Sequence, residues 1–191
     1  MIKDYIKVYK NILTSEECDM IISHPNNDKN WQESLPVWDE KEKYLITSRR
    51  KCDQIEITTA GDNYIAGNNY IEIDHLLYTR LNSTMIKYIE GTYCSIGYDT
   101  GYTLLRYNKD GGYIRHIDAA TEYHRHLSAT LLLNDDFEGG ELTFFGDDDM
   151  DEYTPNLNKG DVIMFPSNFM YPHTVKPITS GKRYVVVTWF R

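Results

Sequence analysis

Cysteine is scarce in this chain, and what there is does not pair. Cys18, Cys52 and Cys94 are an odd number with no Cys-x-x-Cys spacing, which argues against a disulfide framework or a thiolate zinc site and predicts a reducing, cytoplasmic compartment. Long apolar runs are missing too. The first ten residues never build the apolar stretch of a secretory signal, and nowhere do the roughly 20 apolar residues of a membrane span follow one another. Positive charge is in short supply. The 20 Lys and Arg stand against 29 Asp and Glu, a formal charge of −9, so neither nucleic acid nor a membrane is expected as a partner, since both surfaces are negative. The nearest basic run, Arg49-Arg50-Lys51, is too short to reverse that. No internal repeat, low-complexity tract or domain linker interrupts the chain.

What is present suits one domain. The 191 residues are 41% hydrophobic and 13% aromatic, enough for one sizeable core. Thr14-Ser-Glu-Glu17 has capping-box spacing and predicts a short helix that ends near His24-Pro25. Residues 26–42 read as a long loop pinned by Trp31 and Trp38, and alternation over 54–58 predicts a strand. Between Tyr70 and Tyr88 apolar residues recur at threes and fours (Ile73, Leu76, Leu77, Leu81, Met85, then Ile89), the period of an amphipathic helix. Beyond Gly91 the texture changes to short runs at 102–107, 113–118, 127–133, 141–145, 161–165, 173–175 and 184–190, separated by Gly, Asn, Asp and Pro. Such spacing predicts a sandwich or barrel, with the helices of the first half packed on a β core from the second.

Chemistry enters at His116-Ile-Asp118. On a strand over 113–118, residues two apart share a face, so an imidazole and a carboxylate project together and Ile117 faces the other layer. That pair is two-thirds of a facial metal triad, whose third ligand could come from His24, His75, His124, His126 or His173. His173 is set apart because it opens a strand-like run and is followed, ten residues on, by Arg183. A guanidinium holds the far end of a dicarboxylate whose other end chelates a metal; the plainer reading is a surface arginine beside Lys182.

Taken in order, His116-x-Asp118, the run Leu133-Asn-Asp-Asp-Phe-Glu-Gly-Gly-Glu-Leu142, Gly160-Asp-Val-Ile-Met-Phe-Pro166, and His173 with Arg183 and Trp189 resemble the catalytic core of the Fe(II)/2-oxoglutarate-dependent dioxygenases, the prolyl 4-hydroxylase-like branch in particular. The resemblance spans roughly 102–191. It implies a mainly β, α+β fold: a cupin-like double-stranded β-helix, or jelly roll, with N-terminal helices packed on one sheet. It further implies a single domain, with 1–95 as support region and 96–191 as catalytic core. It implies that His116, Asp118 and His173 bind iron, that Arg183 binds the distal carboxylate of 2-oxoglutarate, and that Tyr107 lines that cosubstrate pocket. In oxygen-sensing prolyl hydroxylases a further tyrosine sits on the strand matching 127–133, where this chain has Leu131 and Leu132, so another hydroxyl must help Arg183. The cofactors implied are Fe(II), 2-oxoglutarate and O2, with ascorbate as reductant. Asp118 acts as a ligand; Ala or Gly there would suggest a halogenase.

The expected reaction is hydroxylation of an unactivated C–H bond, on a prolyl residue of a peptide or protein, with release of succinate and CO2. Rival readings are a hydroxylase of a free amino acid or other small molecule, and a non-catalytic jelly-roll binding module. A zinc hydrolase on the same three residues lacks an evident general base and leaves Arg183 unexplained. The expected assembly is a monomer or homodimer. The acidity is one patch: residues 135–152 hold nine Asp and Glu and no Lys or Arg, which leaves the rest of the chain neutral.

Overall fold

The computed structural model describes residues 2–34, 37–39, 44–46, 50–59, 65–66, 69–92, 94–119, 124–146 and 151–191. Two antiparallel sheets face one another as a jelly roll. The larger has seven strands in the order Lys7–Tyr9, Val162–Pro166, Leu127–Leu132, Arg183–Phe190, Thr103–Tyr107, Asp53–Glu56, Gln32–Glu33. The smaller has five, in the order Glu152–Tyr153, Leu142–Phe145, His173–Val175, Gly112–His116, Arg50–Lys51. The expected jelly roll is therefore present, and strands from the first half of the chain complete both sheets.

Both faces of the large sheet are covered, which is why its central strands read as unbroken apolar runs. Along Val162–Pro166, Val162 and Met164 point toward the helices while Ile163 and Phe165 point between the sheets. Along Arg183–Phe190, Val186 joins the helical side and Val185 the side between the sheets. The helical cover is Ile71–Glu90, whose buried residues Ile73, Leu77, Leu81 and Met85 recur every fourth position. Burying a leucine such as Leu77, fully inaccessible here, contributes about 2 kcal/mol. The helix Ser15–Ile22 begins with the expected capping box: Glu17 N–H donates to Thr14 Oγ1 at 3.2 Å and Thr14 N–H to Glu17 Oε2 at 2.8 Å.

Several local expectations change. Within 26–42 the chain forms the short helix Asn27–Asn30 and the strands Gln32–Glu33 and Val37–Asp39 rather than one loop. Trp31 does pin this region, packing on the Arg106 guanidinium at 4.2 Å and near Tyr184 at 6.1 Å. Residues 61–63 and 67–68, and the acidic residues 147–149, lie outside the described residues. Gly139-Gly140, which by sequence fits a tight turn between two strands, instead ends the short strand Glu138–Gly139 paired with Ile178–Ser180, at φ +76° and +70°. At Gly140 a Cβ would also come within 2.9 Å of Arg183 Cδ, so glycine is needed both for its backbone and for the arginine beside it.

Candidate active site

The strand Gly112–His116 ends two residues earlier than the sequence suggests. Asp118 lies in the bend that follows, and Ile117 is 40% exposed instead of facing the other layer. The strand pairs with Arg50–Lys51 at Gly112 and Tyr113, and the ladder to His173–Val175 shifts register between Tyr113 and His116. That irregularity has a consequence: Tyr113 and His116, three apart, both line the same cavity. His116 pairs directly with His173 on the neighbouring strand. The bend then turns Asp118 back toward both rings.

One ligand atom from each of His116, Asp118 and His173 lies within 4.8 Å of the others. Asp118 Oδ1 is 3.5 Å from His116 Nε2 and 3.8 Å from His173 Nε2. Each imidazole is locked by its other nitrogen. His116 Nδ1 sits 2.8 Å from the Ile114 carbonyl and His173 Nδ1 3.0 Å from the Tyr171 carbonyl. A carbonyl only accepts, so both Nδ1 atoms carry the proton and both Nε2 lone pairs face the cluster, the tautomer a metal ligand needs. Packing fixes the rings as well: His116 stacks on Tyr113 at 3.5 Å, and His173 meets Phe165 at 4.9 Å and Phe144 at 5.6 Å.

The electrostatics agree with this donor set. Burial alone would push the Asp118 carboxyl up, but His173, His116 and a hydrogen bond from Ser128 outweigh it and hold the group well below the usual carboxylate range. Burial dominates at His173 and lowers it below its ordinary 6.5, against the pull of Asp118. An ionised carboxylate and a neutral imidazole are the forms that bind a first-row divalent cation. His24 and His75 lie elsewhere, His24 against the Tyr70 ring at 4.8 Å and His75 on the helix Ile71–Glu90, while His124 and His126 are outside the cluster.

The cavity beside the triad, of about 150 Å³, is lined by Tyr107 and Arg183 among others. Arg183 is 2% exposed and makes no ion pair among the described residues, so it is not the surface arginine of the plainer reading. Burial lowers its pKa, opposed chiefly by Tyr107. Tyr107 stands opposite it in register, its ring 5.5 Å from the guanidinium carbon, with its phenol pushed up by burial and so kept protonated. Such a pair fits a carboxylate: one charged fork and one neutral donor. Leu131 and Leu132 are core residues; on the same strand Thr130 lines the cavity and the Ser128 hydroxyl reaches Asp118.

Sequence reasoning missed other cavity residues. Tyr113 was hidden by the irregularity that turns it inward. Arg125, whose guanidinium lies 3.5 Å above the Trp189 ring and donates to the Asp118 carbonyl oxygen at 3.3 Å, has no motif of its own. Arg50 stood in a basic run weighed only as a patch for nucleic acid or a membrane.

Residues 102–191 match the family model of the 2OG-Fe(II) oxygenase superfamily. Over 93 residues, 44% of this chain, the sequence is 38% identical to a PKHD-type hydroxylase of Psychrobacter sp., and over 68 residues, 35% of the chain, it is 44% identical to human prolyl 3-hydroxylase 2. Those alignments span 34% and 10% of the relatives' own lengths, so the chain covers only part of each. Among solved structures, a Trichoplax adhaerens prolyl hydroxylase in complex with a hypoxia inducible factor peptide fragment superimposes with a TM-score of 0.72 at 18% identity, over 97% of this chain and 83% of that one. A Pseudomonas putida prolyl-4-hydroxylase gives 0.71 at 18% identity, over 98% and 92%. These likenesses carry the fold across nearly the whole chain, and over its second half, residues 102–191, the sequence matches the 2OG-Fe(II) oxygenase superfamily.

Proposed function

We propose that this protein is an Fe(II)- and 2-oxoglutarate-dependent dioxygenase that hydroxylates a prolyl residue in a peptide or protein. The observation that carries the reading is one cavity holding three metal donors in their binding forms beside a buried guanidinium with no ion pair among the described residues. In this reading His116, Asp118 and His173 hold the iron through Nε2, a carboxylate oxygen and Nε2. Arg183 binds the distal carboxylate of 2-oxoglutarate, and the Tyr107 phenol donates a hydrogen bond to it. Phe144 and Phe165 exclude water behind His173 and keep its ring in place. Iron, 2-oxoglutarate and O2 would supply an oxidative decarboxylation that releases succinate and CO2 and leaves the substrate hydroxylated. A carboxylate at position 118 fills the site that a halide would need.

The prolyl substrate is supported by the names of the relatives and structural neighbours: prolyl 3-hydroxylase, prolyl-4-hydroxylase and a prolyl hydroxylase with its peptide. Ascorbate belongs to the proposal as the reductant that maintains Fe(II). The residues of the site all come from one chain, so a monomer suffices and a homodimer is compatible. Residues 1–95 act as support and 96–191 as catalytic core within one domain. A cytoplasmic location is supported by the three free thiols; among the described residues no helix is long and apolar enough to cross a membrane.

The test is anaerobic addition of Fe(II) and 2-oxoglutarate, which should give the weak visible charge-transfer band of the chelate, abolished in His116→Ala. No band in the wild type overturns the reading. Succinate release is then compared between proline-rich peptides and free amino acids. Stimulation by free proline alone would replace the peptide substrate by a small molecule.

A further inference from the structure

Arg50 has no part in the reading above, yet it lines the same cavity. It sits on Arg50–Lys51, the edge of the five-stranded sheet, opposite Tyr113 in register. Three residues on, Asp53 begins a strand of the seven-stranded sheet, opposite Arg106. The chain therefore crosses from one sheet to the other at Cys52, next to the end of the cavity that Arg50 lines. On the seven-stranded side of that end, register places Tyr107 beside Arg183. On the five-stranded side it places Arg50, Tyr113 and Val175 in a row. That row lies three residues along its strand from the level of His116 and His173. In the proposed function, a 2-oxoglutarate held at the triad would extend its distal carboxylate toward this end, where Arg183 lies.

Cys52 engages the Arg50 side chain, but one of its donors is left over. Its Nε is fully buried and has no hydrogen-bond partner among the described residues, and leaving a guanidinium N–H orphaned is costly unless a ligand accepts it. Its guanidinium carbon lies 5.7 Å from the Tyr113 ring. Both Arg50 and Arg183 interact electrostatically with Tyr107 and Cys52, from opposite sheets. A carboxylate offers about four lone-pair positions, enough for two guanidinium forks.

We propose that Arg50 is a second anchor for the distal carboxylate of 2-oxoglutarate, gripping it from the five-stranded sheet while Arg183 grips it from the seven-stranded one. The inference rests on the 2-oxoglutarate reading of the site. It supplies from a different strand the partner that Leu131 and Leu132 cannot provide. It also distinguishes Arg50 from a prop for Tyr113, which would act on the His116 stack and hence on metal binding.

The experiment is calorimetric titration of the full chain, anaerobic and loaded with Mn(II), with 2-oxoglutarate and with 2-oxopentanoate, which keeps the chelating end and has a methyl group in place of the distal carboxylate. Arg50→Gln should weaken 2-oxoglutarate by about thirtyfold or more and change 2-oxopentanoate by less than about twofold, with Arg50→Lys in between. Equal losses for the two keto acids, or no loss for 2-oxoglutarate, overturn the inference. Should Arg50→Gln lower the melting temperature, Arg50→Lys carries the same comparison. A wild type that binds both keto acids alike overturns the 2-oxoglutarate reading itself, and this inference with it.

Discussion

Register sets Arg183 directly opposite Tyr107 on adjacent strands, with the guanidinium carbon 5.5 Å from the phenol ring and both side chains 2% exposed. Neither is a surface group, and neither has a carboxylate partner among the described residues. A buried cation of this kind is stable when an anion completes it. In the proposed function the pair is the receptor for a carboxylate that comes and goes.

Arg183→Met keeps most of the apolar stem and removes the charge. It should raise the KM for 2-oxoglutarate by about a hundredfold, while Tyr107→Phe, which loses one neutral hydrogen bond, should raise it by about tenfold or less. Succinate release against 2-oxoglutarate concentration measures both. Gly140→Ala belongs to the same test. Its Cβ would press on Arg183 Cδ from 2.9 Å at a φ of +70°, so it should raise the same KM without touching the metal.

Metal binding should stabilise the fold, because the folded state alone assembles the three donors. At a hundredfold excess over its Kd, a divalent ion adds about 2.7 kcal/mol, seen as a rise in melting temperature. Asp118→Ala should abolish that rise. Lower pH should shrink it in the wild type, because protons compete for the two Nε2 lone pairs. Burial lowers the pKa of His173, so its share of the competition begins below its ordinary value of about 6.5. A metal-induced rise in melting temperature that stayed constant down to pH 5 would contradict the two-histidine ligand set.

Much of this site was legible because its parts obey short-range rules. Thr14 and Glu17 announced a helix start, the fourfold spacing of Ile73, Leu77, Leu81 and Met85 announced a buried helix face, and His116-x-Asp118, His173 and Arg183 stood out in the sequence before the structure brought them around one cavity. What stayed hidden depends on pairing between distant strands. Lys7–Tyr9 and Gln32–Glu33 are too short to show a period, yet they form the two edges of the large sheet. Asp118 reaches the cluster from a bend rather than from the strand, an arrangement that the two-residue spacing alone does not distinguish. Tyr113 faces inward only because the ladder slips between it and His116. Arg50 looked like part of a basic run until its strand was placed beside Tyr113.

The helix Ile71–Glu90 supports the site without touching it. Leu77 is fully buried against the large sheet, so Leu77→Ala should cost about 3 kcal/mol through lost burial and the cavity left behind. The KM for 2-oxoglutarate should not move at temperatures where the variant is folded. Chemical denaturation measures the first quantity and steady-state kinetics the second. A large KM change would mean that the helix face transmits strain through the sheet to Arg183.

Asp161 ties the N-terminal segment to the turn at Gly160. It is 1% exposed and accepts from Lys10 Nζ at 2.8 Å, Asn11 N–H at 3.0 Å and Asn158 N–H at 2.8 Å. Burial raises its pKa, but Lys10 and the two backbone donors more than offset this and leave it below its usual range. A depressed carboxylate stabilises the fold above its unfolded pKa of about 3.9, and that contribution is lost as pH falls through the lower folded value. Asp161→Asn should therefore cost about 2 kcal/mol at pH 7, with Lys10 half-exposed and contributing the smaller part. The difference from wild type should shrink steadily below about pH 4 as the native carboxylate takes up its proton. Urea denaturation at pH 7, 5 and 3 follows it directly, and a gap that did not narrow at pH 3 would mean that the loss comes from packing rather than from charge.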